Sequence, residues 1–319
     1  MLAELWNITR QFSKVCVRRL FHGAKLPSWP LMYEVAIEVA RSTSAHLHKP
    51  SLAKEREDFD RLEKLAKKRA DMTQEEVVWS SCRGYWFRPA ESTSNKIILY
   101  LHGGGYVLGS AKGYRSVIQG LIDATGAQVL FPEYRLAPEH PFPAALDDAV
   151  DVYEWLLAQG HSPEDVVLMG DSAGGGLSAA LCLSLRQRAL PLPGLLMLFS
   201  PLLDLTFGTD SIKRNRPYDH IFEENIKRWG DWYVGEHDRE DPLLSPLFAD
   251  VSGFPRCVVL AGGAELLVDE AKDFAERAQK QGVEVLLHIE PDRVHDYFFF
   301  TPFDPVARAF YKMVAQHIA

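Results

Sequence analysis

Hydrophobic and polar positions follow two regimes along this chain. Up to about residue 72, apolar residues recur at helical spacing (Leu2, Leu5 and Trp6, then Phe12, Val15 and Cys16) ahead of a charged stretch from Lys54 to Arg69. From Glu76 onward short apolar runs take over. They predict strands at Val77 to Ser81 and Tyr85 to Arg88, either side of Arg83-Gly84, and at Ile97 to Leu101, Gln128 to Phe131, Val166 to Met169, Leu195 to Phe199, Cys257 to Leu260 and Val283 to Ile289. Helical patterns fall between them at Ala144 to Ala158, Leu177 to Arg188, Ala271 to Gln281 (stopped by Gly282) and about Pro305 to His317. Such β-α alternation implies a mainly parallel sheet with helices on both faces. Residues 205–250 break the rhythm with Arg214, Arg216, Pro217, several aromatics and the run DPLLSP, which suits a helical insertion. The expected organisation is a helical segment over residues 1–75 and a catalytic domain over 76–319, interrupted by the insertion at 205–250.

Composition narrows the chemistry. In 319 residues the apolar share is 47% and the charged share 24%, which fits a folded globular chain and excludes collagen-like or disordered classes. The net charge of −8 offers no basic field for phosphate backbones, so nucleic acid is not the expected partner. Cys16, Cys82, Cys182 and Cys257 lie far apart with no CxxC or Cys/His spacing, so no zinc site or redox pair is indicated and a reducing, cytoplasmic setting is expected. The first residues interleave Glu4, Arg10, Lys14, Arg18 and Arg19 with apolar positions and lack the apolar core of a signal peptide. No run reaches the ~18 apolar residues of a membrane span.

The candidate chemistry begins at Gly170-Asp171-Ser172-Ala173-Gly174, a GxSxG string set between the apolar run VVLM and a helical pattern. In that context the glycines permit a tight strand-to-helix turn that holds Ser172 out at the strand's C-terminal edge. His102-Gly103-Gly104-Gly105 follows the strand IILYL, and its backbone N–H groups, with that of Ala173, can converge on a developing oxyanion. His102 reads as a brace for this loop. An activated serine needs a base, and the base needs a carboxylate. Of the histidines after Ser172, only His295 sits in a loop just beyond the last strand; His220, His237, His288 and His317 read as packing or surface residues. For the carboxylate, the loop after Cys257 to Leu260 offers Glu265 and Asp269. Glu265 is favoured, while Asp269-Glu270 resembles a helix cap and keeps Asp269 as the alternative. Glu133 and Glu139 read as partners of Arg135, and Trp29, Tyr33, Tyr106, Tyr218, Trp229, Trp232 and Tyr233 as pocket lining or helix packing.

The motifs HGGGYVLGS (102–110), EYRLAPEHPFPAALDD (133–148), GDSAGG (170–175) and AGGAELLVDE (261–270), followed by His295, resemble the hormone-sensitive-lipase-like branch of the α/β-hydrolases, the family IV esterases. The resemblance covers about residues 76–319. It implies an α/β-hydrolase fold, an eight-stranded, mostly parallel sheet flanked by helices, under a helical cap. It also implies Ser172 as nucleophile, His295 as base, and Gly104, Gly105 and Ala173 as oxyanion donors. The family's acid falls on Glu265, where Glu replaces Asp, and Leu266 replaces the usual Pro. Around the base, Asp292 replaces Gly and Tyr297 replaces Phe. The implied activity is hydrolysis of small apolar carboxylic esters of short to medium acyl chain through an acyl-enzyme, without cofactor or metal. Three alternatives share this framework: an acyltransferase, a lactone, amide or carbamate hydrolase, and a non-enzymatic small-molecule receptor, against which His295 argues. A homodimer is left open, and nothing in the sequence suggests an interfacial lid for lipid aggregates.

Overall fold

The computed structural model describes residues 2–45, 51–66 and 71–318; the last part of the charged stretch, residues 67–69, lies outside them. Three helices come first: α1 (Leu2–His22), α2 (Leu31–Ala45) and α3 (Leu52–Asp60). A single eight-stranded sheet follows, ordered β1-β2-β4-β3-β5-β6-β7-β8. Its strands are β1 (Met72–Val78), β2 (Arg83–Pro89), β3 (Ile97–Leu101), β4 (Gln128–Glu133), β5 (Val166–Asp171), β6 (Leu195–Phe199), β7 (Cys257–Gly262) and β8 (Val285–Glu290). β1 and β2 pair antiparallel, β2 joins β4 antiparallel, and the remaining strands run parallel.

The sheet is covered on both faces. Along β3, Ile97, Leu99 and Leu101 pack with α5 (Ala144–Ala158), α6 (Ser172–Gln187) and α9 (Val268–Lys280). Ile98 and Tyr100 point the other way, toward α4 (Arg115–Thr125) and α10 (Pro305–Ile318). This period-two division explains why the central strands read as unbroken apolar runs: both of their faces are interior. The insertion holds α7 (Ser211–Arg214) and α8 (Glu223–Val234).

Several boundaries differ from those the pattern predicts, each for a local reason. β1 starts at Met72 rather than Val77 because it is an edge strand, exposed along most of its length and held by backbone pairing to β2. α4 was not marked by the pattern; its apolar stripe (Val117, Ile118, Leu121, Ile122) directly follows the glycine-rich loop. α6 begins at Ser172, five residues before Leu177, because Gly174, Gly175 and Gly176 have low helix propensity yet are buried in its first turns. The DPLLSP run forms turns, followed by a short 3-10 turn at Pro246–Phe248, rather than helix.

The elbow between β5 and α6 depends on close backbone approach. A Cβ on Gly174 would lie 2.0 Å from the Leu101 carbonyl oxygen, and one on Gly170 would lie 2.1 Å from the Gly174 carbonyl oxygen. Gly174→Ala is therefore expected to lower unfolding stability by about 2 kcal/mol or more through overpacking, read as a fall in the urea midpoint at unchanged slope.

Candidate active site

At the elbow the chain passes from extended Asp171 (φ −112°) to Ser172 at φ 50° and then into α6. A positive φ is costly for serine, and the glycines on either side leave the space that lets the packed turn hold it. Ser172 is 8% exposed and lines a cavity of about 520 Å³ that Gly104, Gly105 and His295 also line. Ala173 is buried in the first turn of α6, where backbone N–H groups lack intrahelical partners.

Asp171 ties the glycine loop to this elbow. Its buried carboxylate accepts hydrogen bonds from Tyr100 Oη (2.8 Å), Tyr114 Oη (2.6 Å) and the Gly103 amide (3.1 Å), while burial and nearby Asp296 push its pKa well above the usual carboxylate range. His102 braces the same loop. Its ring stacks on Tyr134 with centroids 4.2 Å apart, Nδ1 donates to the Gly103 carbonyl at 2.8 Å, and burial lowers its pKa to about 4.

His295 lies beyond β8, as the sequence predicts, and is buried. Its Nδ1 faces Glu265 Oε1 at 3.9 Å, and neither atom has a hydrogen-bond partner among the described residues. The other oxygen, Glu265 Oε2, is taken by Ser200 Oγ (2.7 Å) and the Gly262 amide (2.6 Å). Asp269 turns away. It pairs with Arg214 at 2.6 Å and lies inside the first turn of α9, whose N-cap is Leu267, so it does not hold the cap position expected of it. Glu270 is buried and accepts the amides of Leu203 (2.5 Å) and Asp204 (2.8 Å).

Asp296, Asp219, His220 and Ser200 shape the surroundings of His295, a part the sequence does not assign to them. Asp296, at φ 48°, places Oδ2 3.2 Å from His295 Nε2. Burial alone would lower the His295 pKa, but Asp296 and Glu265 outweigh it and hold it well above the ordinary value. Asp219, from the insertion, accepts the amides of Leu266 (2.7 Å) and His295 (3.2 Å), and its pKa is raised by burial. His220 approaches the His295 carbonyl at 2.8 Å through Nε2, which corrects its reading as mere packing. Ser200 also accepts the Asp296 amide at 3.2 Å. Ser200 directly follows β6, so the rule that located Ser172 and Glu265 at strand ends would have found it; Asp219 and His220 carry no such signal.

Asp292, where the family has Gly, sits at φ 59°, a left-handed conformation that Asp tolerates, and its carbonyl accepts the Trp29 indole N–H. Arg135 pairs with Asp148 at 2.7 Å rather than with the glutamates; Glu139 instead pairs with Arg56 at 2.7 Å and Glu133 approaches Arg83 at 3.4 Å. Of the seven aromatics, Trp229 lines the cavity. Trp29 and Tyr33 pack about Val294, and Tyr106 stacks on Tyr233 at 3.6 Å.

An elbow serine at the C-terminal edge of a mostly parallel eight-stranded sheet, with a glycine loop beside it and a histidine from the last strand's loop, defines an α/β hydrolase. Residues 98–299 match the family described as alpha/beta hydrolase fold, and the chain belongs to that family, within its hormone-sensitive-lipase-like branch. It is 35% identical to an esterase of Acinetobacter venetianus over 71% of this chain and 76% of that protein. It is also 37% identical to an acetyl-hydrolase of Streptomyces hygroscopicus over 73% of this chain and 78% of that one. Among solved structures, an esterase from the bacterial hormone-sensitive lipase family superposes with a TM-score of 0.82 at 29% identity, covering 98% of this chain and 97% of its own. Among the described residues, no helix is long and apolar enough to cross a membrane.

Proposed function

We propose that this chain is a serine hydrolase of carboxylic esters with short to medium acyl chains, and that Ser172, His295 and Glu265 form its catalytic triad. One observation carries the assignment of the acid: Glu265 Oε1 and His295 Nδ1 are both buried, face each other, and lack any other partner among the described residues. Leaving buried polar atoms unpaired costs about 1–3 kcal/mol each. A closure of about 1 Å brings the pair within hydrogen-bond range, as resting sites often require. Ser200 and Gly262 hold Oε2, so the extra methylene of Glu relative to Asp is taken up with one oxygen anchored and the other free for the base.

In this reading Ser172 Oγ attacks the ester carbonyl while His295 Nε2 takes its proton. The N–H groups of Gly104, Gly105 and Ala173 stabilise the tetrahedral oxyanion. His295 then protonates the leaving alcohol, and water repeats the sequence on the acyl-Ser172 intermediate. The N-terminal helical segment and the insertion act as a cap: Ile221, Ile226 and Trp229 reach the cavity from one and Met32, Val35 and Phe59 from the other. A bounded cavity limits the acyl group. Spaced, unpaired cysteines favour a reducing compartment, and a cytoplasmic location belongs to the same proposal.

A p-nitrophenyl ester series tests the activity. Acetate to about hexanoate should lead, and equal turnover of emulsified long-chain triglycerides would contradict the size limit. Ser172→Ala should lower kcat/KM at least about 10³-fold with the fold kept, and should abolish labelling by a serine-directed organophosphate.

Glu265→Gln is expected to lower kcat far more than it changes KM, whereas Asp269→Asn should leave activity near normal. The reverse pattern in two folded variants would move the acid to Asp269.

The base also fixes a pH dependence. Protonated His295 cannot accept the Ser172 proton, so activity rises as pH climbs through its pKa, which Asp296 helps to raise. Asp296→Asn removes that anion and should shift the acid limb of the kcat/KM profile to lower pH. An unmoved limb would show that Asp296 does not govern the base.

A further inference from the structure

Eight of the eleven large hydrophobic side chains exposed among the described residues fall between Leu5 and Met32. Scattered exposed apolar residues are ordinary, but a contiguous set is not. Here Leu5, Trp6, Phe12, Val17, Leu20 and Phe21 all lie on α1, and Leu20 and Phe21 are 81% and 77% exposed. The opposite side of the helix is accounted for, because Gln11 and Val15 are buried. Helical folding therefore directs a broad, mainly apolar side of α1 at solvent, with the exposed Thr9, Ser13 and Arg10 set among its large side chains.

Two further observations say what covers it. Ile8 and Met32 are both exposed and also line the cavity that holds Ser172, so the apolar face runs to the cavity's rim. The charge is local as well. Residues 1–45 carry six cations (Arg10, Lys14, Arg18, Arg19, Lys25, Arg41) against three carboxylates (Glu4, Glu34, Glu38), in a chain of net charge −8. Glu34 and Glu38 hold Arg18, Arg19 and Lys25 at the base of the helix. Arg10 and Lys14 remain exposed, Lys14 at 3.9 Å from Glu38 and Arg10 with its guanidinium 5.5 Å over the Trp6 ring.

We propose that α1 seats the molecule on an anionic lipid surface, with the rim of the cavity at the lipid boundary. A helix with aromatic and aliphatic residues on one face and Lys or Arg beside them lies in the plane of a membrane interface, and its binding strengthens with anionic headgroups. An apolar ester dissolved in the lipid then reaches the cavity along Ile8 and Met32 without crossing water. That delivery rests on the ester-hydrolase reading, whereas docking does not. A second copy of this chain fits the surface less well, since an isologous contact through α1 would bring the cations of two copies together and cover the rim.

The test is co-sedimentation of the full chain with vesicles of phosphatidylcholine plus phosphatidylglycerol, against vesicles of phosphatidylcholine alone. Binding should favour the anionic vesicles and weaken with added salt. Leu20→Glu/Phe21→Glu should lower the partition coefficient at least about tenfold. These residues line no part of the cavity, so hydrolysis of soluble p-nitrophenyl acetate should be unchanged in that variant, which also reports its folding. Arg10→Glu/Lys14→Glu should remove the preference for anionic vesicles. Failure of the unaltered chain to bind either vesicle, or undiminished binding by Leu20→Glu/Phe21→Glu, overturns the proposal. So does light scattering that finds a dimer converted to monomer by the same variant, which would assign the surface to a second copy. Vesicle binding without p-nitrophenyl acetate hydrolysis upholds docking and removes the ester reading instead.

Discussion

Three backbone amides converge on the buried carboxylate of Asp219: its neighbour His220 (2.7 Å), Leu266 beside Glu265 (2.7 Å), and His295 itself (3.2 Å). Glu265 and His295 sit on loops after different strands, β7 and β8, and nothing in strand pairing fixes the distance between loop tips. Asp219 supplies that constraint from a third segment. Amides that have given up water need an acceptor, and a carboxylate can serve several at once, so the loops are held together by the requirement that each buried N–H be satisfied. Ser200 repeats the arrangement from β6 by donating to Glu265 and accepting from the Asp296 amide.

The nucleophile side is built differently. There the contact is direct: Gly170 and Gly174 let the turn close against β3 and its own helix, and Asp171 binds the neighbouring loop through two tyrosines and an amide. The position of Ser172 is thus a property of the sheet's centre, while that of His295 is a property of side chains reaching across loops. The same division explains why His295 senses its surroundings so strongly: it lies between two carboxylates, Glu265 toward Nδ1 and Asp296 toward Nε2.

This division also governs how much the sequence discloses. β3, α5 and β6 were bounded correctly because unbroken apolar runs and helical spacing are local signals. The positions of Ser172, Glu265 and His295 just beyond β5, β7 and β8 are legible because strand ends are local signals. The start of α6 was hidden by its glycines, whose packing against β3 is a long-range reason for a helix that local propensity disfavours. Asp219 and His220 act through contacts between segments far apart in sequence, and residue type alone gives no hint of which distant amide or carbonyl each will meet. The same limit applied to Arg135, whose adjacent glutamates suggested a pairing that Asp148, thirteen residues on, actually makes.

The bond from the Trp29 indole to the Asp292 carbonyl joins the chain's opening segment to the turn three residues before His295. Around it, Arg293 reaches both Ser28 (2.8 Å) and Asp304 (2.6 Å), and the Val294 amide meets Tyr33 Oη at 3.4 Å. A fragment beginning at Met72 would keep every strand and the whole serine elbow. It would nevertheless expose Val294 and leave the turn that carries His295 without its outer wall. The polypeptide's first forty residues are in this sense part of its last loop, and the sheet is complete before the surroundings of His295 are.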